Sequence, residues 1–226
     1  MSLPIICIRA EPGCTETVER GRNLGLQIEA MPMFGIKPVT WELPDPAGLD
    51  GLLIGSANAI RHGGTKLAGL LDLPVFAVGK TTAAMANNAG FQVAHIGGAG
   101  LQSLLDQLAG QRLHLLRLSG EKRVPLTISA NQKIDEIVVY RSTPVPAPPA
   151  LAQYARHGAV AVLHSASAAE HFARELTRLG GDPATFTIAA LAPRIADAAG
   201  LGWAKIAISP EPDDAALLAM VANMCK

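Results

Sequence analysis

The sequence has few aromatic residues and no excess of charge of either sign. Aromatic side chains make up 4% of its 226 residues, and 19 Lys and Arg residues balance 19 Asp and Glu residues. A nucleic-acid-binding protein usually carries a basic surplus or stripe, so this balance argues against a nucleic-acid partner. An anionic small molecule is still compatible with it, because a few arginines and backbone amides can hold carboxylates without changing the total charge.

Cysteines and long hydrophobic runs are also scarce. Cys7, Cys14 and Cys225 form no CxxC pair and are odd in number, which argues against a disulfide framework or a zinc site and favours a reducing compartment. No apolar run approaches the ~20 residues that a membrane-spanning helix needs. The first residues have neither the basic head nor the apolar length of a signal peptide. We therefore expect a cytoplasmic protein with no membrane segment and no metal.

Short apolar runs alternate with longer segments of helical periodicity. Most runs are continuously hydrophobic, as expected for parallel strands buried on both faces. They lie at 4–8, 51–54, 75–78, 91–96, 113–118, 137–140, 159–163, 186–191 and 205–208. Helices are predicted at 101–108 and 166–179, ended by Gly110 and Gly180, with Ser167 and Glu170 as a capping box at the start of the second. This alternation predicts an α/β fold with parallel sheets and helices on both faces.

The chain also repeats one pattern. Residues 52–59 (LLIGSANA) resemble residues 161–168 (AVLHSASA), residues 77–83 resemble 190–196, and Leu104-Leu105 pairs with Leu217-Leu218. The two copies, each about 110 residues long, match the size of a small α/β domain. They predict two lobes with a ligand cleft between them, at the carboxyl ends of the strands.

Two β-prone segments flank the first copy. They lie at 32–41 and 136–143, and the second leads into a proline-rich stretch that would stiffen the return path. We predict that they pair as a two-stranded connection. Lobe 1 would then comprise residues 1–34 and 146–226, lobe 2 residues 38–140, and the linkers residues 35–37 and 141–145.

Six blocks, in order, resemble the uroporphyrinogen-III synthase family. They are residues 8–12 (IRAEP), 50–60 (DGLLIGSANAI), 77–83 (AVGKTTA), 115–120 (LLRLSG), 138–141 (VVYR) and 209–212 (SPEP) with the helix that follows. Each block alone is a weak signal, but together they cover nearly the whole chain. The sequence departs from the family pattern at Gly55, where a threonine is common, and at Arg194-Ile195, where a pair of threonines is frequent.

The resemblance implies two flavodoxin-like lobes with parallel sheets, joined by a two-stranded β linker. It implies a lyase that cyclises hydroxymethylbilane, with loss of water and inversion of ring D, to uroporphyrinogen III in haem and sirohaem biosynthesis. It further implies a monomer that needs no cofactor and takes its substrate by hand-over from hydroxymethylbilane synthase. Tyr140 is the catalytic candidate that it implies, as donor of a hydrogen bond to the leaving hydroxyl.

Carboxylates of such a substrate are expected at strand-to-helix junctions, where free amides and the positive end of the helix dipole attract anions. The expected substrate-binding residues are Arg9, Ser56, Asn58, Thr82, Gly120, Arg123, Ser165 and Arg194. Each hydroxyl could instead serve only as a helix cap, and each arginine could be a solvated surface charge. Tyr140 could likewise be an aromatic ring packed on the linker.

Two other functions stay open. One is a nucleotide-binding α/β protein, because the glycines at 97, 98 and 100 follow a strand and open a helix. That signal is weak, since Ser103 stands where the third glycine of the dinucleotide fingerprint belongs. The other is a two-lobed ligand-binding protein without turnover, because a fold does not determine a function.

Overall fold

The computed structural model describes residues 3–98 and 100–224, so Cys225 lies outside the described residues. The chain divides into two units. Unit 1 comprises Met1–Gly35 and Thr143–Lys226, and unit 2 comprises Ile36–Ser142. No helix of the described residues is long and apolar enough to cross a membrane.

The strands, in chain order, are β1 (Ile5–Cys7), β2 (Ile28–Ala30), β3 (Phe34–Pro38), β4 (Gly51–Ile54), β5 (Val75–Val78), β6 (Val93–Gly97), β7 (Leu113–Gly120), β8 (Gln132–Pro144), β9 (Val160–Leu163), β10 (Thr187–Ala190) and β11 (Lys205–Ile208). The α-helices are α1 (Gly13–Asn23), α2 (Ala57–His62), α3 (Lys80–Asn88), α4 (Leu101–Gln107), α5 (Leu151–His157), α6 (Ala166–Arg178), α7 (Pro193–Ala199) and α8 (Asp214–Met224). Short 3₁₀ helices cover Thr65–Leu70 and Pro183–Thr185.

Unit 1 is built on a parallel sheet with the strand order β11-β10-β9-β1-β2. Every residue of β1, β9 and β10 is buried, because helices cover both faces and the strands are apolar almost throughout. Helices α5, α6 and α7 pack on one face around Phe172 and Ile188, which are fully buried. Helices α1 and α8 pack on the other face through Val18 and Leu217.

Unit 2 is built on a sheet with the strand order β3-β8-β7-β4-β5-β6, whose pairs from β8 to β6 are parallel. One face packs on α2 and α3 through Ile60 and Ala83. The other packs on α4 through Leu104 and Leu105. The predicted α/β class with two parallel sheets is therefore confirmed.

The predicted β connection corresponds to two strands of the unit 2 sheet, the five-residue β3 and the thirteen-residue β8. β3 and β8 are neighbours at one side of the unit 2 sheet, and each continues across a boundary between the units. A separate two-stranded linker, and the lobe ranges that went with it, stay predictions.

The predicted helices at 101–108 and 166–179 match α4 and α6 to within one residue, but two of the three predicted capping assignments are wrong. The N-cap of α6 is Ser165, whose hydroxyl accepts a hydrogen bond from the Ala168 amide at 3.2 Å. Ser167 therefore lies inside the helix, because the helix begins as soon as β9 has ended. Gly110 is no cap either, since α4 ends at Gln107, whereas Gly180 adopts φ +71° directly after the last turn of α6.

Candidate functional site

The carboxyl ends of β4, β5 and β7 lie on one edge of the unit 2 sheet, because these strands are neighbours and run parallel. Ser56 follows β4 and caps α2, with its hydroxyl accepting from the Asn58 amide at 3.3 Å. The Asn58 side chain in turn accepts from Arg61. Ser56 therefore has the capping role that the sequence left open as its alternative, whereas Asn58 lies inside the first turn of α2 and is not its cap.

Thr82 lies in the first turn of α3, after β5, and is only 5% exposed. The exposed hydroxyl of this turn belongs to Thr81, which the sequence analysis did not single out. The N-cap of α3 is Gly79, which offers no side chain to the first amides of the helix. Any anion binding at this junction would therefore use backbone amides and Thr81.

Gly55 shows why a family threonine is missing from this edge. A Cβ atom at this position would lie 2.7 Å from Cδ1 of Leu101, the first residue of α4. A threonine here would therefore require the Leu101 side chain to move. Glycine and leucine together leave this part of the edge apolar.

Tyr140 lies beside Gly120 at the same edge. β7 and β8 shift register between Ser119 and Gly120, so that Tyr140, not Val139, pairs with Gly120. Such a bulge re-aims a side chain, and the ring of Tyr140 lies where a Cβ atom at Gly120 would be 2.7 Å from it. Tyr140 does not end its strand, because β8 continues to Pro144, beyond the apolar run at 137–140.

His62, at the end of α2, is an aromatic neighbour of Tyr140. The centroids of the two rings are 6.3 Å apart, and their planes are tilted by 41°. Burial, with a smaller contribution from the charge of Arg61, lowers the pKa of His62 below its ordinary value. No sequence motif marks this histidine, because its nearness to Tyr140 depends on strand pairing.

Arg123 lies in the loop after β7 and is held by a carboxylate. Its Nε donates to Oε2 of Glu136 at 2.7 Å, while the buried Arg117 donates to Oε1 of the same residue. Burial tends to raise the pKa of Glu136, but the hydrogen bonds from the two arginines hold it below its ordinary value. These residues line a cavity of about 280 Å³ together with Glu121. Arg123 is thus an ion-paired residue and not a free cation.

The carboxyl ends of the neighbouring parallel strands β1 and β9 are followed by Arg9 and by His164 and Ser165, respectively. β1 pairs with β9, Arg9 comes two residues after β1, and His164 follows β9 directly. Ser165 caps α6, as described above. Arg194 lies exposed in the first turn of α7, after β10.

Asp214, the first residue of α8, is hydrogen-bonded to three side chains near this edge. Its Oδ1 accepts from the Thr17 hydroxyl at 3.0 Å and from His164 Nε2 at 2.7 Å, and its Oδ2 accepts from Arg20. Arg9 donates to the Thr17 hydroxyl oxygen at 3.3 Å. Burial tends to raise the pKa of Asp214, but the His164 hydrogen bond and charge, with Thr17 and Arg20, hold it below its ordinary value.

Sequence reasoning missed Asp214, Thr17 and Arg20. Thr17 and Asp214 are 197 positions apart, and no short motif joins them. Within residues 3–98 and 100–224, no group of three or more His, Cys, Asp or Glu side chains is arranged to hold a metal ion.

The family model described as Uroporphyrinogen-III synthase HemD matches residues 15–219. The crystal structure of uroporphyrinogen-III synthetase from Helicobacter pylori 26695 matches with a TM-score of 0.65 and 14% identity, covering 98% of this chain and 99% of that chain. A mutant uroporphyrinogen III synthase from the extremely thermophilic bacterium Thermus thermophilus matches with a TM-score of 0.52 and 16% identity, covering 99% and 97%. A search of curated proteins finds no match.

Proposed function

Because the chain belongs to the uroporphyrinogen-III synthase family, as the match over residues 15–219 establishes, we propose that it cyclises hydroxymethylbilane to uroporphyrinogen III. Water is lost, ring D is inverted, and the enzyme is a lyase of tetrapyrrole biosynthesis. The proposal includes a cytoplasmic monomer that needs no cofactor and receives its substrate from hydroxymethylbilane synthase. The observation that carries the proposal is the family match, because the structural likenesses are under 25% identical and concern the fold alone.

The reaction needs one group that helps a hydroxyl to leave. Departure of the hydroxyl leaves a resonance-stabilised azafulvene cation, and ring closure then passes through a strained spiro species. We assign the hydrogen bond to the departing oxygen to Tyr140. Its ring is fixed against Gly120 and His62, and no hydrogen bond of its hydroxyl is found among the described residues, so the phenol proton is available to a substrate.

The substrate must also be held by its carboxylates. In unit 2, the proposed contacts are the first amides of α3 after Gly79, with Ser56 and Asn58 at the start of α2. In unit 1 they are Arg9, Ser165 and Arg194, which lie at one sheet edge. The ion pair with Glu136 leaves Arg123 a weaker candidate than its position suggested. Binding of this kind works by positioning, which can supply several kcal/mol of the barrier.

The test is to supply freshly made hydroxymethylbilane and to separate the uroporphyrin isomers after oxidation. Spontaneous closure gives the uninverted isomer I, so an active protein should divert the product to isomer III. Dialysis and added chelator should leave the yield unchanged. Isomer I alone, at the spontaneous rate, would refute the proposal. Tight tetrapyrrole binding with that outcome would identify a ligand-binding protein.

A further inference from the structure

The polar side chains around Asp214 form one connected network at the carboxyl edge of the unit 1 sheet. Asp214 is mostly buried, with 12% of its side chain exposed, and His164 is more so, at 7%. Thr17 is fully buried. Buried polar groups are usually hydrogen-bonded, and hydrogen bonds to an ionised group are the strong ones. The network is therefore held in one arrangement.

Within it, Asp214 fixes the direction of the Arg9 guanidinium through Thr17. The Thr17 hydroxyl donates its proton to Asp214, so its oxygen is left to accept from Arg9. The Arg9 side chain also lies over Gly13, where a Cβ atom would be 2.4 Å from Nε and 2.7 Å from Cζ. The half-buried Arg9 side chain is thus held between the Thr17 hydroxyl and Gly13, the first residue of α1.

The fold does not need this network. The repeat pairs residues 52–59 with 161–168, and Leu104-Leu105 with Leu217-Leu218, so that Gly55 corresponds to His164 and Leu101 to Asp214. Both pairs join the residue after a central strand to the first residue of a helix. Unit 2 makes this junction with glycine and leucine, and unit 1 makes it with an imidazole and a carboxylate.

The network is also incomplete. Nε2 of His164 bonds to Asp214, while Nδ1 is buried and has no hydrogen-bond partner in the described parts of the chain. A buried polar atom without a partner is unfavourable, and native proteins rarely keep one without a reason. Arg9 and Arg20 together outweigh the single carboxylate, so the network has an excess of positive charge that a bound anion would balance.

We propose that Asp214 is a positioning residue that, through Thr17, holds the Arg9 guanidinium ready for a carboxylate of the substrate. This inference rests on the proposed function and deepens it. Unit 1 then carries a preorganised carboxylate-binding site of its own, and Arg9 is its contact residue. The arrangement lowers the entropy lost on binding, because the guanidinium is already oriented.

The sharpest test compares Thr17→Val with Thr17→Ser. Valine keeps the shape of threonine but removes the hydroxyl between Asp214 and Arg9, whereas serine keeps the hydroxyl and loses a methyl group. We expect Thr17→Val to raise KM about three- to thirtyfold with kcat within about twofold, and Thr17→Ser to stay close to wild type. Equal effects of the two substitutions would overturn the proposal, since they would reflect packing.

Gly13→Ala tests the same idea without changing Asp214 or Thr17. The three atoms nearest to its Cβ all belong to the Arg9 side chain, which must move, and alanine favours the helix, so the unfolding temperature should not fall. KM should rise about as much as in Thr17→Val, because the guanidinium is moved from its place. Arg156→Gln removes an exposed charge of α5 and controls for net charge, so it should leave KM unchanged. Unchanged KM in folded Gly13→Ala and Thr17→Val would overturn the proposal.

A binding measurement separates this inference from the proposed function. Uroporphyrin III, the stable oxidised form of the expected product, is titrated into each variant and followed by its fluorescence. If wild type yields no isomer III, the proposed function fails, and weaker uroporphyrin III binding by Thr17→Val than by Thr17→Ser still supports the carboxylate site. If wild type is active and the two variants bind alike, the inference fails and the proposed function stands.

Discussion

Tyr140→Phe is the most informative substitution for the proposed reaction, because the chain offers a matched control. The sequence has two tyrosines, and their hydroxyl groups differ in surroundings. The Tyr154 hydroxyl donates to Oε2 of Glu29, which joins α5 to β2. This hydrogen bond, with burial and the carboxylate charge, raises the pKa of Tyr154 to about 12. No such partner of the Tyr140 hydroxyl is found among the described residues.

The expected magnitudes follow from that difference. Removing a hydrogen bond that forms as charge develops on the leaving oxygen should cost about 1.5–3 kcal/mol of transition-state stabilisation, which lowers kcat about ten- to two-hundredfold. Stability should not change in Tyr140→Phe. Tyr154→Phe loses a native hydrogen bond of about 1 kcal/mol, which should lower the unfolding temperature by about 2–4 °C at this chain length.

The assays are isomer III formation under steady-state conditions and thermal unfolding at neutral pH, for wild type and both variants. We expect kcat to fall only in Tyr140→Phe, with KM nearly constant, and the unfolding temperature to fall only in Tyr154→Phe. Full activity in Tyr140→Phe would remove the phenol from the mechanism and leave positioning as the source of catalysis. Equal losses of activity in the two variants would mean that the assay reports stability.

Three further predictions use single contacts. Gly120→Ala should push the Tyr140 ring aside and lower kcat about tenfold, whereas Gly98→Ala, where a Cβ meets nothing within 4 Å, should not. Gly158→Ala should destabilise by about 2 kcal/mol or more, because φ is +80° and the Cβ would lie 2.1 Å from the Thr185 carbonyl oxygen; Gly200→Ala, with φ +82° and no such contact, should cost less in the same melt. Arg178 and the Ala147 amide lower the pKa of Glu175 to about 2. The contribution of Glu175 to stability is therefore present above its ordinary pKa of 4.5 and is lost as the pH falls towards 2. In Glu175→Gln, the free energy of unfolding should depend less on pH between 4.5 and 2.

The fold was predictable because its signal is local. The apolar runs at 51–54 and 75–78 coincide with β4 and β5, since a strand buried on both faces must be apolar at every position. The run at 205–208 coincides with β11, although this edge strand is largely exposed. β2 was missed because only Ile28 of its three residues is buried, so it has no continuous hydrophobic run. The N-cap of α6 was assigned to the wrong serine because Ser165 and Ser167 are both good caps, and only the end of β9 decides between them.

The candidate site was predictable only in part, because its contacts join distant positions. The resemblance pointed to Tyr140 and Arg9, and the structure puts each at the carboxyl edge of its own sheet. The sequence could not show that a register shift brings Tyr140 to Gly120, since a bulge leaves no mark on composition or periodicity. Nor could it show that Glu136 holds Arg123, because the ion pair depends on the pairing of β7 with β8.

The two copies of the duplicated pattern differ at the carboxyl edges of their sheets. A serine N-cap, Ser56 or Ser165, follows the central strand of each copy, because the first amides of the next helix need a hydrogen-bond acceptor in both units. The residue before that serine is free to differ, and it is Gly55 in unit 2 and His164 in unit 1. Glycine leaves an apolar edge beside Leu101, next to the strand pair that carries Tyr140, whereas histidine joins Asp214 in a charged network that orients Arg9. In the proposed mechanism, leaving-group assistance by Tyr140 belongs to unit 2 and the Arg9 contact to unit 1, so each can be altered separately. Thr17→Val should therefore change KM, and Tyr140→Phe should change kcat, with additive effects in the double variant.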